Sequence, residues 1–415
     1  MVCCNFMPLL FVLWTFFASY CNTQLPAEPA ISLHTGLTER IGNFSLELLY
    51  YATKEQAEGT NLIISPITVW TSLAVVSEGA HGNTKKELRS ALRISSKKAN
   101  EIKEDYQKII KYLTVKTDTI VLNKFNALFM NTNNMPLQKF QNSAKEYDTR
   151  LIEADFSKSV ETAERINTVI ANLTENRISK LVEPTDIENS NLILTSAIYF
   201  KGQWRTPFDP KNTKREKFYD SNGDQVGQVN MMYIRDTFPF AKINDLQATV
   251  IEIPYGKYNR TSMLIMLPEK KVSLDKMYSN FQKRTLDHVF EVLKKNQEEF
   301  GDDEIDCYIP RFKIETSLDL KSSLKHMDIS DVFSERKADL SEVSIIPTYV
   351  SKVIHKAEIE VTEEGTTASG VTRTDFGNRI GAIRFEANRP FCYMIIEKIT
   401  NTIAFGGFYQ TPILY

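Results

Sequence analysis

Glu363-Glu-Gly-Thr-Thr-Ala-Ser-Gly-Val-Thr372 is the most informative stretch of this 415-residue chain, because it carries the side chains of a central β-strand in a loop-like setting. Successive side chains of an extended chain point to opposite faces, and small ones suit a buried face. The small residues that would share one face are Thr366, Ala368, Gly370 and Thr372. The residues that would share the other face are Thr367, Ser369, Val371 and Arg373. The pattern predicts a segment that can enter a sheet as an extra strand.

This stretch is followed by a loop-like run at residues 373–384 and then by Phe385-Glu-Ala-Asn-Arg-Pro-Phe391. In that order the three segments resemble the hinge, the reactive loop and the post-loop segment of the serpins. Further motifs resemble the same family and occur in its order, from about residue 33 to the C-terminus. They are Asn61-Leu-Ile-Ile-Ser-Pro66, Ile198-Tyr-Phe-Lys-Gly-Gln-Trp204, Ser262-Met-Leu-Ile-Met-Leu-Pro268, Pro310-Arg-Phe312, His355-Lys-Ala357 and Phe405-Gly-Gly407.

The resemblance implies one α+β domain over residues 33–415 with the serpin fold: a large mixed central sheet, smaller sheets, about nine helices and an exposed reactive-centre loop at about residues 363–384. Apolar residues recur at helical spacing over residues 38–51, and Ser65-Pro66 is typical of a helix start. Apolar runs predict strands at residues 119–130, 192–200, 249–253, 262–267 and 391–396. Residues 161–179 resemble the helix that crosses the main serpin sheet, with Val169 where the family usually has Trp.

The N-terminus has the pattern of a targeting segment. Residues 1–20 contain no Asp, Glu, Lys or Arg, and Leu9-Leu-Phe-Val-Leu-Trp-Thr-Phe-Phe17 is an apolar core too short to span a bilayer comfortably. We interpret residues 1–21 as a secretory signal peptide cleaved after Cys21, and we expect a secreted, extracellular protein without a transmembrane segment. The formal net charge of -2 argues against nucleic acid as a partner.

Cleavage of the leader would leave two cysteines, Cys307 and Cys392, both in strand-like apolar surroundings. Buried thiols are at least as well supported by this pattern as a disulfide bridge. Three Asn-x-Ser/Thr sequons offer glycosylation sites, and those at Asn172 and Asn259 lie in more polar surroundings than the one at Asn43.

Motifs of catalytic machinery are missing from the sequence, which contains no Gly-x-Ser-x-Gly, His-Glu-x-x-His, P-loop or Cys-x-x-Cys pattern. We therefore do not expect an enzyme, and no cofactor or metal is implied. The serpin resemblance implies a different mechanism, in which a serine protease attacks the loop, forms an acyl-enzyme and is carried away as the hinge joins the main sheet. In that mechanism Glu363 and Glu364 stay at the solvent-facing base of the loop, and Gly365 permits the bend.

The reactive bond follows from the serpin resemblance. In serpins the cleaved bond usually follows the sixteenth residue after the first hinge Glu, which here is Arg379-Ile380. An Arg at this position would pair with the carboxylate in the specificity pocket of a trypsin-like protease. Arg373 and Arg384 are alternative cleavage points, but their register is wrong for the usual trap.

Target choice is less closely defined by the sequence. Phe376, Gly377 and Asn378 precede an Arg-Ile bond like those cut in zymogen activation, which favours factor Xa or another activating protease. The overall sequence also resembles secreted insect serpins, and salivary anticoagulant serpins of blood-feeding mosquitoes in particular. Two alternatives remain open: a regulator of the insect's own clip-domain or melanisation proteases, and a non-inhibitory serpin that acts as a binding or carrier module. We expect a monomer that forms a covalent complex with its protease.

A basic region suggests a second partner. Residues 85–111 carry nine basic residues against four acidic ones, a net charge of +5. In heparin-binding serpins the corresponding region receives the polysaccharide, so heparin or another sulfated glycosaminoglycan is a candidate modulator; a solvated helical face is the alternative. The candidate binding residues are Lys85, Lys86, Arg89, Arg93, Lys97, Lys98 and Lys103, followed on the same helical region by Lys108 and Lys111.

The resemblance also implies a polar cluster that controls the opening of the main sheet. Its members would be Ser65, Thr68, Ser196 and His355, and Ser196 departs from the usual Asn. Because a hydroxyl has fewer hydrogen-bonding groups than an amide, the sheet would open more easily or a water would fill the gap. Trp204 would cover the top of the sheet.

Overall fold

We analysed a computed structural model of the chain, which describes residues 35–95, 99–174, 176, 178–301, 303–364 and 383–415. The chain divides into the units Met1–Ile31 and Ser32–Tyr415, and the described residues belong to the second. The expected signal peptide, the hinge from Gly365 onward and the Arg379–Ile380 bond lie outside the described residues.

The described residues form ten α-helices and sixteen strands. The helices are α1 (Gly36–Lys54), α2 (Pro66–Gly79), α3 (Gly82–Ala91), α4 (Ala99–Leu113), α5 (Gln138–Glu146), α6 (Ser159–Leu173), α7 (Pro184–Ile187), α8 (Leu274–Phe281), α9 (Leu286–Phe300) and α10 (Lys321–His326). The strands are β1 (Leu62–Ile64), β2 (Val115–Lys116), β3 (Ile120–Asn131), β4 (Arg150–Ala154), β5 (Leu192–Gly202), β6 (Lys214–Tyr219), β7 (Gln225–Asp236), β8 (Phe240–Ile243), β9 (Ala248–Tyr255), β10 (Thr261–Pro268), β11 (Ile305–Pro310), β12 (Phe312–Asp319), β13 (Val350–Val361), β14 (Ile383–Glu386), β15 (Phe391–Glu397) and β16 (Thr402–Tyr409).

These strands form three sheets, as the predicted α+β fold requires. The central sheet has the order β12-β13-β5-β3-β2, with β4 also paired to β3, and it is mixed because β5–β13 and β3–β4 are parallel while its other pairs are antiparallel. A second six-stranded sheet has the order β1-β16-β15-β10-β9-β8, and a four-stranded sheet has the order β14-β11-β7-β6. The ten helices of the described residues agree with the expectation of about nine, and α7 is a single four-residue turn.

Both faces of β5 in the central sheet are buried, which explains why this strand reads as a nearly continuous apolar run. On β5, Leu194 and Ile198 pack into the main core, whereas Ile193 and Ala197 face the opposite side. That opposite side is covered by α6, which contributes Ala163, Ile166 and Ile170 to a separate apolar cluster. Alternate side chains of β5 are thus buried on opposite faces, each set in its own apolar cluster.

The departure at Val169 leaves room beneath α6. Val169 lines a cavity of about 50 Å³ together with Ile166 of the same helix and with Phe129 and Ile152 of the sheet below. A larger side chain at position 169 would point into this space. The packing between α6 and the sheet is therefore less dense than in a well-packed protein interior.

Cys307 and Cys392 are both free and fully buried, so the two thiols do not form a bridge, and burial raises the pKa of each thiol. No helix among the described residues combines the length and the apolar character that a bilayer span requires.

Candidate functional site

The junction between β5 and β13 is the place where an added strand would enter the sheet. These two strands run parallel, and their register extends from Val350↔Leu192 to Glu358↔Tyr199. Beyond that pair, β5 continues to Gly202 alongside β3, and β13 continues to Val361 alongside β12. The ladder between β5 and β13 therefore ends before either strand does, and the two strands separate at the end where the hinge begins.

Trp204 closes this end of the sheet, as the resemblance implies. Its indole is 3% exposed, and Nε1 donates a hydrogen bond of 2.8 Å to the carbonyl oxygen of Thr362, the first residue after β13. The indole also stacks on Tyr255, with ring centroids 4.2 Å apart and 13° between the planes. One side chain thus links the end of β5, the neighbouring sheet and the start of the hinge.

The expectation that Glu363 faces solvent is wrong. Glu363 is 5% exposed, and its Oε1 accepts a hydrogen bond of 2.6 Å from Thr213 and lies 3.6 Å from Nη1 of Arg311. Its carbonyl oxygen accepts from the backbone N–H of Phe208 at 2.9 Å. A carboxylate can be buried here because the Thr213 hydroxyl donates a hydrogen bond to it and the Arg311 guanidinium compensates its charge. Glu364 is exposed, as expected, so the two acidic residues differ in burial.

The predicted polar cluster lies on the core side of the β5–β13 ladder. The imidazole of His355 is fully buried, with Nε2 2.9 Å from the backbone nitrogen of Ser65 and Nδ1 2.7 Å from Oγ of Ser196. Because the Ser65 N–H can only donate, Nε2 must accept, and Nδ1 carries the proton and donates to Ser196. Thr68 donates to the Ser65 carbonyl at 2.9 Å. The cluster joins the start of α2 to both strands.

Protonation of His355 is strongly disfavoured. Burial lowers the pKa of its imidazole from the usual 6.5 to about 3. A second proton would also place an N–H on Nε2 directly against the Ser65 N–H. His355 is therefore neutral at physiological pH, and its charged form would lose the hydrogen bond from the Ser65 N–H.

One buried polar side chain beside this cluster was not predicted from the sequence. Asn126 of β3 lies directly opposite Ser196 in the antiparallel register and is 3% exposed. Neither Nδ2 nor Oδ1 of its amide has a hydrogen-bond partner among the described residues, and the same holds for Oγ of Ser65. A lone amide inside the apolar run 125–130 was the available signal, since a buried polar side chain normally serves a network.

The chain after the expected reactive loop is tied to the four-stranded sheet. Ile383 begins β14, which pairs in parallel with β11 from Ile383↔Ile305 to Glu386↔Tyr308. The chain then continues through Ala387, whose N–H donates to the Tyr308 carbonyl at 2.9 Å. The residues expected to contact the protease, Phe376, Gly377, Asn378, Arg379 and Ile380, lie between these anchors and outside the described residues.

The candidate heparin residues are partly neutralised by neighbouring acids. Arg89 pairs with Glu78 at 3.3 Å, Arg93 with Glu47 at 2.9 Å, and Lys103 with Glu146 at 2.6 Å. Lys86 is exposed and Lys85 is half-buried, while Lys97 and Lys98 lie outside the described residues. Three of the predicted cations therefore already have carboxylate partners, which weakens the field available to a polyanion.

The three sequons differ in their exposure to solvent. Asn172 and Asn259 are exposed, whereas Asn43 is half-buried within α1 beside the fully buried Phe44. Among the described residues no group of three His, Cys, Asp or Glu side chains could hold a metal ion.

Comparison with known proteins places this geometry in a family. A family model described as "Serpin (serine protease inhibitor)" matches residues 39–412. Serpin B6 of Pongo abelii is 31% identical over 383 residues, which cover 91% of this chain and 99% of that protein.

Two solved structures have the same fold. The crystal structure of Manduca sexta serine protease inhibitor (serpin)-12 has a TM-score of 0.78 and 25% sequence identity, and the match covers 90% of this chain and 98% of that one. The crystal structure of native protease nexin-1 with heparin also has a TM-score of 0.78, with 26% identity and coverage of 91% and 99%.

Proposed function

Since this chain belongs to the serpin family of serine protease inhibitors, we propose that it is a secreted inhibitor that traps trypsin-like proteases by cleavage at Arg379–Ile380. One observation carries the proposal: β5 and β13 are parallel neighbours that separate at one end, and the hinge sequence leaves β13 at that end. A chain that turns back there runs antiparallel to both strands. Serpin loop insertion is a recognised instance of this strand addition.

The covalent step uses the chemistry of the protease. The protease serine Oγ attacks the Arg379 carbonyl carbon, the Arg379–Ile380 amide bond breaks, and the Ile380 nitrogen leaves as an amine with a proton from the protease histidine. An ester then joins Arg379 to the protease. Hydrolysis of this ester would release an active protease, so inhibition requires that insertion be faster.

Insertion is favourable because it replaces one ladder with two. Eight residue pairs join β5 to β13 in the structure. A strand inserted between them would form two antiparallel ladders of similar length, which adds about eight hydrogen bonds at a net stabilisation of about 1 kcal/mol each. Antiparallel pairing is also slightly more stable per residue than parallel pairing. The sheet without the inserted strand is thus the less stable form. It persists because β5 and β13 must separate before the loop can insert.

The hinge assignment is tested by charge at adjacent positions. Thr366→Arg would place a guanidinium on the buried face and should convert inhibition into substrate turnover. Thr367→Arg is the matched control, because its side chain would share the opposite face with Glu358 and Glu360 at this end of β13. We expect trypsin to form an SDS-stable complex with the control but only to cleave the Thr366 variant. Equal complex yields would contradict the assignment.

The reactive bond and the target are tested together. The protein is incubated with factor Xa, thrombin and trypsin, SDS-stable complexes are resolved, and the released C-terminal peptide is sequenced. A complex with a peptide that begins at Ile380 supports the proposal, and Arg379→Ala should abolish it. We propose factor Xa or a similar activating protease as the target, with insect clip-domain proteases as the competing class. Cleavage without a complex would indicate a non-inhibitory serpin.

Secretion and glycosylation are proposed from the leader and the sequons. The exposed side chains of Asn172 and Asn259 are accessible to a glycan, while Asn43 is less so. After expression with the native leader in insect cells, the protein should be found in the culture medium. Its mass should decrease on glycosidase treatment. A product retained inside the cell would contradict this part of the proposal.

Glycosaminoglycan binding is proposed only for the cations that remain available. Protease nexin-1, which has the same fold, was solved with heparin. Lys86→Ala should weaken retention on heparin more than Arg93→Ala, because Arg93 already pairs with Glu47. Retention that neither substitution changes would exclude this surface.

A further inference from the structure

The last residues of the sequence, 412–415, run from near the end of β16 toward the central sheet. Pro412 packs closely on Gly227 of β7, since a Cβ added at that glycine would lie 2.5 Å from Cγ of the proline. The N–H of Ile413 donates to the Tyr409 hydroxyl at 2.9 Å, and the Ile413 side chain packs against the main core. Residues 413–415 follow the span that the family model matches, which ends at residue 412. These contacts hold the last residues of the sequence against the fold.

Tyr415 connects the four-stranded sheet to the central sheet. Its carbonyl oxygen accepts hydrogen bonds from Nδ2 of Asn230 at 2.8 Å and from Nε of Arg311 at 2.7 Å. Its hydroxyl donates to Oε1 of Glu360. Asn230 belongs to β7, Arg311 lies between β11 and β12, and Glu360 belongs to β13. One residue therefore joins two sheets at the end of β13 from which the hinge leaves.

Arg311 links Tyr415 to the start of the hinge. Its guanidinium lies 5.9 Å from the ring centroid of Tyr415, and its Nη1 lies 3.6 Å from Oε1 of Glu363. The backbone N–H of Arg311 donates to the carbonyl oxygen of Asn230 at 2.8 Å. Because the guanidinium is planar, the bond from Nε to the Tyr415 carbonyl also fixes the direction of Nη1. Tyr415 thus orients the cation that compensates the buried carboxylate of Glu363.

The bond between Tyr415 and Glu360 forms at neutral pH and lies at the surface. The Glu360 carboxylate accepts this bond and thereby raises the pKa of the Tyr415 hydroxyl, which stays protonated. Glu360 is exposed and Tyr415 is 36% exposed, so the bond can break while the core stays packed. Tyr415 therefore restrains the end of β13 through Glu360 and the start of the hinge through Arg311.

We propose that Tyr415 is a positioning residue for the insertion step: it ties the end of β13 to the four-stranded sheet and so slows the separation of β13 from β5. The inference rests on the proposed function, because it takes the gap between these two strands as the place of insertion. In this arrangement the bonds of Tyr415 to Asn230 and Glu360 act as one connection between sheets. The bond to Glu360 is the part that a side-chain substitution can remove.

The restraint acts at the end of the sheet where a new strand would enter. The β5–β13 ladder ends at the pair Glu358↔Tyr199, and Glu360 lies two residues beyond it on β13. An entering strand needs a neighbour about 5 Å away on each side, so β5 and β13 must move apart by about one strand spacing. A displacement of that size in β13 would break a hydrogen bond to a residue that is held on β7. Loss of the bond should therefore make opening faster.

The test measures the entry of a synthetic peptide into the sheet of the full-length protein. The fluorescently labelled peptide has the sequence of residues 366–379, and its incorporation is followed over time on native gels. Tyr415→Phe and Glu360→Ala should each incorporate it about fivefold faster than wild type, because each removes the same charge-assisted bond. The double variant should be no faster than either single variant. The control is Leu414→Ala, at an exposed neighbouring position, which should match wild type.

Two outcomes overturn the role of Tyr415 while leaving the trap intact. One is an incorporation rate that neither single substitution changes, even if the urea midpoint falls; the bond would then be merely structural. The other is a double variant whose gain is the product of the two single gains, which would mean that the residues act separately. The proposed function is judged separately, by SDS-stable complexes of wild type with factor Xa, thrombin and trypsin. Cleavage without a complex would overturn that function, and the peptide assay would still decide the role of Tyr415.

Discussion

The neutral, buried His355 predicts how the stability of this protein depends on pH. Its imidazole has a pKa of about 3 in the folded protein and about 6.5 when unfolded. A lowered pKa means that the stabilisation is complete above about pH 6.5 and is lost as the pH falls toward 3. Each unit of pKa difference corresponds to about 1.4 kcal/mol, so the step from pH 7.5 to 5.0 should cost about 2 kcal/mol through this residue alone.

His355→Gln is the perturbation that isolates this contribution. The amide can still accept from the Ser65 N–H or donate to Ser196, but it does not titrate. We expect the melting temperature of wild type to fall more than that of the variant between pH 7.5 and 5.0. Unfolding entropies of about 2 cal/mol/K per residue make 2 kcal/mol worth about 2–3 °C for a domain of this size.

The pH slope, rather than the stability itself, is the readout, because the substitution will also lower stability uniformly. His81→Gln, at an exposed position, is the matched control and should keep the wild-type slope. Thermal scans at pH 7.5, 6.5, 5.5 and 5.0 measure all three proteins. If His355→Gln lost as much stability as wild type between pH 7.5 and 5.0, the pH dependence could not be attributed to the buried imidazole of His355, and the prediction would be refuted.

Three further predictions concern the surroundings of the insertion site. Trp204→Phe removes the donor to the Thr362 carbonyl and should lower the free energy of unfolding in urea by about 1 kcal/mol; an unchanged midpoint would show that the bond contributes nothing. Val169→Leu fills part of the 50 Å³ cavity and should raise stability by up to about 1 kcal/mol, and a loss would mean that the space cannot accept a methylene group. Alkylation without reductant should leave Cys307 and Cys392 unlabelled in the folded protein and label both after unfolding, whereas a persistent disulfide would contradict the structure.

The central strands could be predicted from the sequence because burial on both faces leaves a continuous apolar run. The runs at residues 192–200 and 262–267 correspond to Leu192–Gly202 and Thr261–Pro268. The family resemblance then implied a large mixed central sheet, which local patterns do not encode.

Features that depend on distant partners could not be predicted in this way. Glu363 looks like a solvent-facing hinge residue until Thr213, 150 residues earlier in the chain, is seen to bond it. The basic candidates look available until Arg89 and Arg93 are seen beside Glu78 and Glu47, on other helices. In each case the contact joins two different elements of the structure. Local sequence patterns do not show that these elements lie close together in the fold.

If the loop inserts as proposed, the anchoring of both its ends sets a mechanical condition on that insertion. Glu363 is bound at the inner end and β14 pairs with β11 at the outer end, while β11 passes through Arg311 into β12 at this same end of the central sheet. Full insertion would carry Arg379 toward Val350, about 36 Å along β13, whereas the contour length from Arg379 to Ile383 is about 14 Å. With both ends anchored, the intact loop is too short to insert fully. Full insertion requires either cleavage of the loop or detachment of β14 from β11.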